Sequence, residues 1–157
     1  MESCRKDVTA QMSQRLETYI RAADTRIYWA KEVTFDYQTL HPIRVDYMKF
    51  VPKNNTISGI EKGDFCCYEI KSCLDDFNSK HGHNFIGDYN YYIMEERLFS
   101  AVQSKFPFGV GVLVPDDYAS LKSVKNAKRV DRTKPMCEML LMMFRSANRD
   151  RRKSYDS

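Results

Sequence analysis

Ile43–Val51 reads IRVDYMKFV, and Gly63–Lys71 reads GDFCCYEIK. Both stretches carry apolar and β-branched residues at a period of two, the signature of strands. In the first, Ile43, Val45, Tyr47, Lys49 and Val51 fall on one face, and Arg44, Asp46, Met48 and Phe50 on the other. The intervening KNNTISG (Lys53–Gly59) is rich in turn formers, so the pair predicts a long hairpin with an elaborated loop.

Upstream, Val8, Met12, Leu16, Tyr19, Ile20, Ala23 and Ile27 recur at three- and four-residue steps and predict an amphipathic helix over 7–28. Glu17 lies beside that stripe, and Glu32–Phe35 is a short strand. Downstream, Ser72 with Asp75 three residues on predicts a capping-box start for a helix carrying Leu74 and Phe77. A loop, KHGHNFIGD (Lys80–Asp88), leads to an aromatic strand over Tyr89–Met94. Glu95 and Glu96 open a helix through Leu98, Phe99 and Val102, and GVGVLV (Gly109–Val114) is a strand buried on both faces. Asp116–Asp117 ends that strand and caps a helix. Leu121–Val130 is a weak, basic strand. Pro135 sits in the first turn of a last helix with the stripe Met136, Met139, Leu140, Met143, Phe144 and Ala147. Early strands joined by hairpins and later ones joined by helices predict an α/β fold in three layers, a mixed β-sheet flanked by helices. One domain spans 1–148, and a flexible basic tail spans 149–157.

Composition fits that reading. The chain has 157 residues, 43% hydrophobic and 29% charged, with 6 Gly and 5 Pro, which excludes collagen-like, low-complexity and wholly disordered classes. The longest oily run, Met139–Phe144, is too short to span a bilayer, and the N-terminus has no apolar signal region. Five cysteines without a CxxC pattern predict reduced thiols in the cytoplasm and no structural zinc. Residues 1–118 carry a net charge of −3 and residues 119–157 a net charge of +7. Lys122, Lys125, Lys128, Arg129, Arg132 and Lys134 form a candidate phosphate-contacting patch.

The chemistry concentrates on the strands 43–51 and 63–71. Glu69 and Lys71 share a face about 7 Å apart, with Ile70 pointing the other way. With the strands as neighbours, Asp46 faces the same hollow. A hard divalent cation, Mg²⁺ or Mn²⁺, takes oxygen ligands, often one or two carboxylates completed by phosphate and water. Asp46 and Glu69 supply the carboxylates, and the Ile70 carbonyl is a third donor. Lys71 is placed to position a water or to offset charge on phosphorus. Other candidates are weaker. His81-Gly82-His83 has chelating spacing but reads as a solvated turn. Cys66 and Cys67 point to opposite faces and read as buried thiols, and no Cys–His pair has catalytic spacing.

The segments RVDY (Arg44–Tyr47), YEIKSCLDDF (Tyr68–Phe77), DYNYYIM (Asp88–Met94) and GVGVLV (Gly109–Val114) resemble the PD-(D/E)XK, restriction-endonuclease-like superfamily, particularly its MmcB-like branch of small DNA-repair or phage-borne members. The similarity spans residues 32–147. It implies a metal-dependent DNA endonuclease in which Asp46, Glu69 and Lys71 match the active-site positions one by one, with Glu17 or Glu32 as an assisting acid. Val45 stands where the family pattern has a proline. The resemblance also implies DNA as partner and a homodimer. The rival expectation on the same fold is a non-catalytic module that binds nucleic acid or protein, such as a phage-encoded inhibitor or recombination accessory.

Overall fold

The computed structural model describes residues 2–23 and 28–156, with the backbone alone for Glu2 and Ser3. The chain runs α1 (Glu2–Ala23), β1 (Tyr28–Phe35), β2 (Ile43–Val51), α2 (Ile57–Glu61), β3 (Asp64–Ile70), α3 (Leu74–Asn78), β4 (Tyr89–Ile93), α4 (Glu96–Val102), β5 (Gly111–Pro115), β6 (Leu121–Lys125) and α5 (Met136–Tyr155). The six strands form one mixed sheet in chain order, β1 to β6. β1–β2, β2–β3 and β5–β6 pair antiparallel, while β3–β4 and β4–β5 pair parallel.

Alternation along the strands sends side chains into three cores. Tyr68 and Ile70 of β3, with Ile93 and Leu113, meet Met12, Leu16 and Ile20 of α1 on one face. On the other face, Met139 and Met143 of α5 cover Ala30, Phe35, Met48, Phe50, Phe65 and Cys67. Beside them, Phe77 and Val102 cover Tyr92, Val112 and Val114. The predicted three-layer α/β sandwich is therefore the observed one.

Local differences have physical causes. The first helix begins earlier than predicted and ends at Ala23. Ile27, the last residue of the predicted stripe, lies outside the described residues, and Tyr28 already belongs to β1. Strict alternation fails in the β1–β2 hairpin. Glu32, at φ 50°, is skipped between the pairs Lys31–Tyr47 and Val33–Val45. Across that kink Ala30 and Val33, and Met48 and Val45, all turn to the α5 core. The predicted loose tail is helical as far as Tyr155. It is tied down where Arg149 donates to the carbonyls of Lys31 and Glu32 and Ser146 donates to that of Lys31. Asp116 caps no helix; its Oδ1 accepts the N–H groups of Tyr118 and Ser120 in the β5–β6 turn. Ser72 bonds Asp76 through its N–H and hydroxyl rather than Asp75, and Cys73 is the N-cap of α3.

Candidate metal and active site

β2 and β3 stay paired from Val51–Asp64 to Tyr47–Tyr68 and then part. The register would next bring Asp46 opposite Glu69. Instead, the Ile70 N–H, which points toward β2, is accepted by Asp46 Oδ2 at 2.9 Å. The side chain thus replaces a backbone rung, and a notch opens between the strands. Glu69 projects into it on the face that carries Phe65 and Cys67, with Tyr92 of β4 as its register partner on the far side. Lys71 follows two residues on.

This notch is buried and lined by ionisable groups. Glu69 is 0% exposed, and neither of its carboxylate oxygens has a hydrogen-bond partner. Burial and the adjacent Asp46 carboxylate push the Glu69 carboxyl up to about 9, against the pull of Lys71. Burial also raises Asp46, partly offset by the Ile70 N–H and by Arg44. Desolvation lowers the Lys71 ammonium, which is 2% exposed, although Asp76, Glu69 and Asp46 favour its charge. Lys71 Nζ donates to the His81 carbonyl at 2.7 Å and to the Asp76 carbonyl at 3.4 Å.

Asp46, Glu69 and Lys71 therefore converge, and Ile70 lies between them. The other proposed site residues go elsewhere. Glu17 accepts the Tyr47 hydroxyl at 2.8 Å and pairs with Arg21 and Lys31, on the α1 face of the sheet. Glu32 is half-exposed at the kink and pairs with Arg149 at 3.9 Å. Half of the basic set is ion-paired within the fold. Arg129 pairs with Asp64 and Asp88, Arg132 with Asp88 at 2.8 Å, and Lys134 with Asp36 and Glu138. Lys125 lies over the ring of Phe106 and Lys128 over that of Phe108, and Lys122 is exposed. Asp64 and Asp88 mark the N-terminal ends of β3 and β4, whereas Glu69 lies near the C-terminal end of β3. Five residues of strand put about 17 Å between those ends, so Arg129 and Arg132 serve the fold rather than the notch.

Sequence reasoning missed three contributors. Tyr92 flanks Glu69, and its hydroxyl lies 2.6 Å from His83 Nδ1. His83 Nε2 lies 2.9 Å from the Ser79 carbonyl. A carbonyl can only accept, so Nε2 carries the proton and Nδ1 accepts from Tyr92. Both ring nitrogens are spent, and His81-Gly82-His83 is no chelate. Gly82 has φ +67°, and a Cβ there would lie 2.8 Å from Lys71 Nζ and 3.3 Å from Glu69 Oε2. The glycine between two histidines was the available signal of that close approach. All five cysteines are free; Cys67, facing α5, is buried as predicted, whereas Cys66, facing α1, is only partly buried.

The donor set fits a hard cation. Two carboxylates and a backbone carbonyl are oxygen ligands, and the bare Glu69 oxygens are groups that such an ion would satisfy. Among the described residues no three His, Cys, Asp or Glu side chains gather about one point. No described helix is long and apolar enough to cross a membrane. Comparison with family models, curated proteins and solved structures found no match.

Proposed function

We propose that the notch is a divalent-cation site for phosphodiester hydrolysis on DNA, using Mg²⁺ or Mn²⁺. The observation that carries this reading is the Glu69 carboxylate, fully buried, beside Asp46 and Lys71, with both oxygens bare. A purely structural acid in a core is surrounded by donors. Asp46 and Glu69 hold the cation, with the Ile70 carbonyl as a further donor. When bound, such an ion polarises a phosphodiester and acidifies a water. Asp46 is held in aim by the Ile70 N–H. Lys71, freed from the His81 carbonyl, orients the attacking water or offsets charge on the non-bridging oxygens. The resemblance to the PD-(D/E)XK superfamily adds support, since it matches the same three residues.

One observation favours the rival, non-catalytic module: Lys71 is now spent on two backbone carbonyls, and its ammonium is sealed from solvent. Calorimetry with Mn²⁺ and incubation of plasmid DNA with Mn²⁺ separate the two. The nuclease reading expects Mn²⁺ binding lost in Asp46→Ala, and cutting lost in Lys71→Ala with Mn²⁺ binding kept. Cation binding without cutting of any DNA form supports the rival. Absence of Mn²⁺ binding removes the cation site.

A further inference from the structure

We infer that residues 79–84 form a lid over the Asp46–Glu69–Lys71 notch, latched by His83, and that the structure is the closed state. The inference builds on the cation-site reading, since it concerns access to that site. The segment leaves α3 at Ser79 and crosses directly above the charged pair. The His81 carbonyl takes the Lys71 ammonium, and Gly82 fits against Lys71 Nζ and Glu69 Oε2 with no room for a Cβ. Anything approaching Glu69 from that side meets Gly82 first.

The lid is separable from the scaffold around it. Among the described residues, no backbone–backbone hydrogen bond joins 80–87 to the rest of the chain. Its ties run through side chains: Ser79 Oγ to the Asp76 carbonyl at 2.8 Å, Asn84 Nδ2 to the Arg44 carbonyl at 2.9 Å, and Lys71 Nζ to His81. The feet are firm. Phe77 is buried in the α3–α4 core, and Phe85 and Ile86 pack on the cores that flank the notch. Between the feet, His83 closes the loop on itself through Ser79 and on the sheet through the Tyr92 hydroxyl. Its ring stands edge-on to Phe77 and Tyr92, at 5.8 Å from each. Opening therefore needs the His83–Tyr92, Lys71–His81 and Asn84–Arg44 bonds to break together, while the cores on either side stay packed. His83 is a positioning residue: it touches the lid and Tyr92.

His83→Phe keeps an aromatic ring in that pocket and removes both bonds. Gly82→Ala pushes from the other side, because its Cβ collides with Lys71 and its φ is unfavourable to alanine. The full-length chain is digested briefly with trypsin, the cut after the exposed Lys80 is mapped by mass spectrometry, and urea midpoints are measured alongside. Mn²⁺ association is followed by stopped flow. The lid predicts that each variant speeds the Lys80 cut about tenfold, with the urea midpoint nearly unchanged, and that Mn²⁺ binds faster. An unchanged Lys80 cut in both variants overturns the lid. So does a fall in the urea midpoint that accounts for the faster cut, since the residues are then merely structural. Faster cutting at a constant midpoint with no Mn²⁺ binding in any form supports the lid and overturns the cation site alone.

Discussion

The two ends of β3 and β4 bury acids under opposite conditions. At the N-terminal end, Asp88 is 1% exposed, yet it accepts the Phe65 N–H at 2.8 Å and pairs with Arg129 and Arg132. Asp64 beside it pairs with Lys53 at 2.7 Å and with Arg129. These partners outweigh burial and hold its carboxyl below its ordinary value. At the C-terminal end, Glu69 has no hydrogen-bond partner at all. The same sheet thus shows how this chain accommodates an acid that only has to support the fold, and that solution is withheld from Glu69. That imbalance is the observation on which the proposed cation site rests.

Mutation should split the two ends most sharply at Asp88. Asp88→Ala strips two arginines and a buried N–H of their acceptor and should cost about 3–5 kcal/mol in urea unfolding. A loss below about 1 kcal/mol would erase the contrast. Next in size is the response to cation. Saturating Mn²⁺ at a hundred times its dissociation constant should stabilise the wild-type chain by about 2.7 kcal/mol. Asp46→Ala should abolish that gain, and Asp64→Ala should keep it.

A smaller effect, of opposite sign to the Asp88 loss, belongs to Glu69. Its folded carboxyl holds a proton up to about pH 9, while the unfolded chain releases it near 4.5. Between those values the folded state binds the extra proton, so stability falls as pH rises. Glu69→Gln should flatten that decline and raise the free energy of urea unfolding at pH 8 by about 1–2 kcal/mol. An unchanged pH profile in the variant would show that Glu69 titrates normally. Smallest of all, Lys122→Glu and Lys128→Glu should shift stability by no more than about 0.5 kcal/mol. Arg132→Glu, at the balanced end, should cost several times that.

The chain announced its layers well because its strongest strands are long and its helices carry clean stripes. Asp46, Glu69 and Lys71 were legible as well: two adjacent strands and a period of two place them together. Three other features were hidden. The Glu32 kink reverses facing within β1 and β2, and a fixed period cannot show a reversal. Arg129, Arg132 and Lys134 looked like a surface patch because their acids, Asp88, Asp64 and Asp36, lie 40 to 100 residues away in the chain. Glu17 looked like an assisting acid because a helix position beside a stripe does not reveal which face of the sheet the helix covers. The helical course of 149–155 went unseen because that stretch carries no apolar stripe; Arg149, at its start, donates to two backbone carbonyls of β1.

Strand order has a consequence for how the molecule is made. Each strand's neighbours in the sheet are its neighbours in the chain, so the sheet can grow edgewise as the polypeptide is synthesised, without threading. Its oldest part finishes last. Phe35, Phe50 and Phe65 wait for Met139 and Met143 of α5, which emerges after all six strands. A nascent chain stalled before residue 136 would present a nearly complete sheet with one greasy side uncovered, and that is the stage at which a holding chaperone has most to grip.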